Sequence, residues 1–223
     1  MHEGDDALDR LSQLGLKLEY LEYAFRKADA EARTYTEHDP PSASGIARWS
    51  RTNRFLRDRL VPEEEWTSSN PHNVPITTSP DKMTTIIATT GDDDTGIASG
   101  SPTTKYAKGQ ASIRAIRRNR HVQDVLPFFD TPPSTKDGKA LAEAVHDRAG
   151  TTRIWLLLYT VTLDGIRAEI SSPADITNKG IVNTWDERII LPFLPFEEAP
   201  AETGGEGSGS DNDQGIDVPV DRR

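Results

Sequence analysis

Leu11, Leu14, Leu18, Leu21, Phe25, Ala28, Ala32 and Tyr35 recur at alternating spacings of three and four residues, which puts them on one seam of a helix. Asp5 and Asp6 suit the positive end of that helix, and Pro40-Pro41 mark where it must already have stopped. Gly15 weakens its first turns by about 1 kcal/mol relative to alanine. Left alone, the seam would expose a row of leucines. Residues 8–35 are therefore expected to pack on another helix of this chain, on a second copy, or on a protein partner.

A second helix is predicted from about Ser44 to Leu60, with Ile46, Trp49, Asn53, Leu56 and Leu60 on one face and five arginines (48, 51, 54, 57 and 59) spread over the other. Thr67 to Asp81 holds three prolines among Ser, Thr and Asn, and reads as an irregular connection. Met83 to Thr90 is β-branched and predicts a strand, ended by the turn-forming run Gly91-Asp92-Asp93-Asp94. A third helix fits residues 110–125 and a short fourth one residues 139–148.

The pattern changes after residue 150. Thr152 to Leu163 is apolar on both faces, as a central strand is, and Asp164-Gly165 signals a tight hairpin. In the returning strand Ile166, Ala168 and Ile170 point one way, and Arg167, Glu169 and Ser171 the other. A turn at Asn178-Lys179-Gly180 leads to a last strand over residues 181–191. The expected fold class is α+β: N-terminal helices plus a small antiparallel sheet, a three-stranded C-terminal meander that residues 83–90 can extend by a fourth strand. The expected division is an N-terminal helix (1–40), a globular core (41–195) and a tail (196–223).

Charge sharpens that division, because the formal charge of −10 over 223 residues is blocky. Residues 196–223 carry −6 of it and almost no large apolar groups, so they are expected to form a disordered acidic tail that cannot offset the entropy of ordering. Residues 101–125, by contrast, carry +5. The chain has no cysteine, which removes disulfides, thiolate metal sites and cysteine nucleophiles. No apolar run nears the roughly 20 residues that span a bilayer, and the start is acidic, so a cytoplasmic location and no membrane partner are expected.

Arg114, Arg117, Arg118 and His121 fall at i, i+3, i+4 and i+7, one cationic stripe preceded by Lys105 and Lys108. Such a stripe can contact phosphates of a polyanion, a nucleic acid above all. It also suits a solvated face neutralised within the fold by Glu63–Glu65 and Asp92–Asp94. Asp92, Asp93 and Asp94, with Glu169 and Glu187 on later strands, could supply oxygen ligands to a magnesium-type ion and support phosphodiester hydrolysis. A run of aspartates in a Gly-Thr-rich turn equally makes an ordinary solvated loop. The segment GSPTTKYAKG lacks the second glycine and GK[ST] ending of a phosphate-cradling loop, and the histidines show no metal-binding spacing. The expectation is a non-enzymatic binding or adaptor protein needing no cofactor; the alternative is a metal-dependent phosphodiester hydrolase.

Overall fold

A computed structural model describes residues 1–108, 113, 116–117 and 152–196. The N-terminal seam is not one helix but two, α1 (Gly4–Gln13) and α2 (Leu18–Ala32). The break is built by Gly15, which sits at a φ of +71°, the left-handed conformation that glycine adopts without strain. Its N–H donates to the Ser12 carbonyl at 2.9 Å, and the Leu16 N–H reaches back to the Leu11 carbonyl at 3.0 Å. These two bonds close α1 in a Schellman motif, with Leu11 and Leu16 buried together beneath it. Gly15 therefore terminates the helix where the spacing alone predicts a weakened continuation.

The seam residues from Leu11 to Ala32 pack inward, apart from the half-buried Leu18, while Tyr35 lies past the helix end and is exposed. Their partner is within this chain: α2 lies along α3 (Ala43–Glu64), with the rings of Tyr23 and Phe55 edge to face at 6.0 Å. Each such buried leucine stabilises the fold by roughly 1.5–3 kcal/mol. Between the helices, buried Asp29 accepts hydrogen bonds from Arg48 (2.9 Å) and Arg33 (2.5 Å). Ile46, expected on the buried face of α3, is exposed near its N-terminus.

Among the described residues seven strands form one mixed sheet: β1 (Thr67–Ser69), β2 (Ile76–Thr78), β3 (Thr84–Thr90), β4 (Arg153–Val161), β5 (Gly165–Asp175), β6 (Thr184–Ile190) and β7 (Leu194–Pro195). They run in the order β1-β2-β3-β4-β5-β6, with β7 also on β5. The antiparallel meander β4-β5-β6 is as expected, and Ile166, Ala168 and Ile170 face one side as their alternation requires. Two expectations are corrected. The stretch 67–81 holds two short strands, polar enough to read as loop because they lie at the sheet's margin. And β3 pairs with β4 in parallel, Thr84 opposite Arg153 through Thr90 opposite Tyr159, so the sheet is mixed and larger than a four-stranded antiparallel one.

Helices α1 to α3 cover one face, where Trp155, Leu157 and Tyr159 of β4 and Ile86 and Ala88 of β3 are buried. On the other face Ile87, Leu156 and Leu158 pack with Ile113, Ile116 and Val182. This is why β4 is apolar on both sides. At the outer edge of β6, the His2 N–H donates to the Arg188 carbonyl (2.8 Å) and the His2 carbonyl accepts from Ile190 (3.0 Å). Phe196 donates its N–H to the Asp164 carbonyl at 2.9 Å, and Arg33 stacks 3.9 Å above its ring. The predicted helix over 139–148 and residues 197–223 of the expected tail lie outside the described residues, as does most of the helix predicted over 110–125. No helix among the described residues is long and apolar enough to cross a membrane.

Candidate functional site

Strands β3 and β4 run the same way, so both end at the same margin of the sheet. In open sheets with parallel strands the carboxyl ends are where crevices form. Here Thr89, Thr90, Tyr159, Thr160 and Val161 line a cavity of about 670 Å³, within the size range that holds a small organic ligand. Its other walls are the start of α3, from Ser42 to Trp49, the segments Asn73–Pro75 and Lys105–Lys108, and Asp93.

That segment is held from two sides. Thr104 bridges to Gly91 and exchanges bonds with Val182, its N–H to the Val182 carbonyl (3.0 Å) and the Val182 N–H to Thr104 Oγ1 (3.1 Å). The Lys105 N–H donates to the Thr90 carbonyl (3.0 Å), and the Lys108 N–H to the Gly180 carbonyl (2.7 Å). Gly180 has a φ of +80°, and a Cβ there would stand 2.6 Å from the Lys108 carbonyl oxygen. The glycine of the Asn178-Lys179-Gly180 turn thus lets two backbones touch and so places Lys108.

The Lys108 side chain turns toward the end of β3, where Nζ donates to Thr89 Oγ1 at 2.5 Å. Burial lowers its pKa from the ordinary lysine value to about 8, and no described carboxylate pairs with it. Lys105, three residues earlier, lines the same cavity but is exposed. Arg48 is committed to Asp29, and Trp49 donates Nε1–H to the Ala88 carbonyl at 3.1 Å. Tyr159, only 2% exposed, touches the cavity from the helix-covered face, and its hydroxyl, shut off from water near Thr90 and Thr52, makes no well-formed hydrogen bond among the described residues. Burial raises the pKa of that phenol, opposed by the nearby Thr90 hydroxyl and the charge of Arg48. At the start of α3 the Ser42 side chain makes no capping bond, while Ser44 and Gly45, whose first-turn amides have no helical carbonyl to meet, line the wall.

Of the residues predicted to bind a polyanion, then, Lys105 and Lys108 line one cavity, with Lys105 exposed. Arg117 is exposed and donates to Asn178 Oδ1 at 3.0 Å, whereas Ile113 and Ile116 turn inward. Arg114, Arg118 and His121 lie outside the described residues.

The carboxylates of Asp92, Asp94, Glu169 and Glu187 are engaged within the fold. Asp92 accepts the N–H (2.9 Å) and hydroxyl (2.8 Å) of Thr103, Asp94 accepts the Ser101 N–H (3.1 Å), and the Asp93 carbonyl accepts from Arg167 (2.8 Å). They close the loop from Gly91 to Thr104. Glu169 is fully buried on the far side of the sheet from α1–α3. It accepts from Ser171 Oγ (2.6 Å), the Gly96 N–H (3.0 Å) and two nitrogens of Arg188 (2.6 and 3.1 Å). Arg188 in turn donates to the carbonyls of Ile97 and Gly100, so this pair clamps the loop to the sheet. Glu187 is held by Arg10, His2 and Arg153. Among the described residues no three His, Asp or Glu side chains come together as a metal-holding group.

Lys105 and Lys108 were visible in the sequence as cations; Tyr159, Thr89, Thr160 and the start of α3 were not. Their signal is the parallel pairing of β3 with β4, which joins residues about seventy positions apart and leaves no local pattern. No family model, curated protein or solved structure matches the chain.

Proposed function

We propose that this protein binds a small anionic organic molecule in the crevice at the carboxyl ends of β3 and β4. One observation carries the reading: Lys108 is drawn out of water beside a cavity with a threonine hydroxyl as its partner and no described carboxylate to offset its charge. Burying a cation unpaired is costly, and a ligand anion removes the cost. Lys105 and the start of α3 add positive potential on two further walls. A crevice of this size fits a carboxylate or phosphate group on a compact body better than it fits an extended polymer.

The test is thermal melting with inorganic phosphate, pyrophosphate and citrate, for the wild type and Lys108→Met. A native-state ligand at 100 times its dissociation constant adds about 2.7 kcal/mol of stability. At least one of the anions is expected to raise the melting temperature of the wild type and to do so much less for Lys108→Met. Equal shifts in both proteins, or none in either, would refute the site. A duplex oligonucleotide is the comparison arm: tighter binding there, with a log–log salt slope near −0.9 per phosphate contact, would favour an open polyanion surface instead.

A further inference from the structure

We propose that Lys108 is a carbonyl-reactive amine, and that the ligand of this crevice is an aldehyde or ketone carrying the anionic group, held as an imine on Lys108 Nζ. This rests on the anion-binding reading above and adds a covalent step to it. Three features of the site support it. The amine faces a cavity large enough for a small organic molecule, and its backbone is pinned through Gly180. Its partner is a neutral hydroxyl, Thr89 Oγ1, which can hand a proton to or from nitrogen without holding the amine in its charged form as a carboxylate would. Burial keeps much of it uncharged: with a pKa of about 8, about one quarter of the amine is neutral at pH 7.5, against about one in a thousand for an ordinary lysine. The other titratable groups on the described walls are Arg48, whose charge is met by Asp29, and Asp93, Lys105 and Tyr106, so one carboxylate stands against two lysines.

The step balances without an oxidant or reductant. The Nζ lone pair adds to the carbonyl carbon while a proton passes from nitrogen to oxygen, giving a carbinolamine. Loss of that oxygen as water, with a second proton from nitrogen, leaves the C=N bond.

The experiment uses the full chain and two probes that differ only at the reacting carbon, pyridoxal 5′-phosphate and its alcohol counterpart pyridoxine 5′-phosphate. After borohydride reduction the aldehyde probe is located by peptide mass spectrometry, and binding of the alcohol is measured by calorimetry. The expected result is labelling of Lys108 at least about tenfold above the average lysine at pH 7.5, suppressed by inorganic phosphate and absent in Lys108→Arg. Mapping on the wild type keeps the test decisive if that variant does not fold. If the alcohol binds and phosphate competes but labelling is spread over the surface lysines, the imine is refuted while the anion site stands. If neither probe binds, both fall.

Discussion

At Lys108 an ammonium group gives up water for a single threonine hydroxyl, and that exchange has a thermodynamic signature. Its pKa falls from 10.5 to about 8 through burial, so between those values the unfolded chain binds more protons than the folded one. Stability must therefore rise with pH across that window, and the full penalty of burying the charge is present below about pH 8. Lys108→Met is expected to stabilise the fold at pH 7 by about 3 kcal/mol and to remove the rise between pH 8 and 10.5, measured by urea denaturation. A variant no more stable than wild type, with the same pH profile, would show that the amine is not desolvated. The sequence marked Lys108 as a cation because charge is written in the residue. It could not mark the burial, which comes from Thr89 and Gly180, far apart in the chain. Glu169 shows the same limit: its alternation on β5 was legible, but the ion pair that occupies it depends on Arg188 of the neighbouring strand.

Among the elements, α1 and α2 show how a pattern can be right about a face and wrong about a helix. The three-and-four spacing from Leu11 through Leu18 runs across the break because the reversal at Gly15 returns the apolar side of both helices to the same sheet face. Spacing reports which side is buried; it does not report whether the backbone between is continuous. Gly15→Ala tests the break itself. An added Cβ would meet Trp66 no closer than 3.6 Å, an ordinary contact, so the cost is the left-handed backbone alone. A loss of about 1–2 kcal/mol is expected in chemical denaturation, and less for Gly15→Asn, since asparagine tolerates this conformation better. Were the alanine variant as stable as wild type, the Schellman closure would not be holding α1. The strands β1 and β2 escaped notice for a different reason: three-residue strands of Thr, Ser and Ile carry too few alternations to stand out from a proline-bearing loop.

For the molecule as a whole, the described chain closes at Phe196, whose N–H and ring both have partners, on the β4–β5 turn and on α2. Ending the chain after Phe196 is expected to leave the melting temperature unchanged, because every described contact survives. Ending it after Pro195 should cost about 1–2 kcal/mol, the loss of a part-buried aromatic ring and its cation–π contact. Equal melting of the two truncated proteins would place the boundary earlier; a large loss after Phe196 would show that residues beyond it stabilise the fold. The margins of the sheet carry one more consequence. β1 offers a newcomer only three polar residues, and the open side of β6 is taken at its Arg188–Ile190 end by the backbone of His2. An exposed strand edge is a template on which a second molecule can add its own strand and begin a fibre. Lateral growth along that end of β6 must first displace His2, a single residue held by two backbone hydrogen bonds and by the contacts of its ring with Asp6 and Glu187.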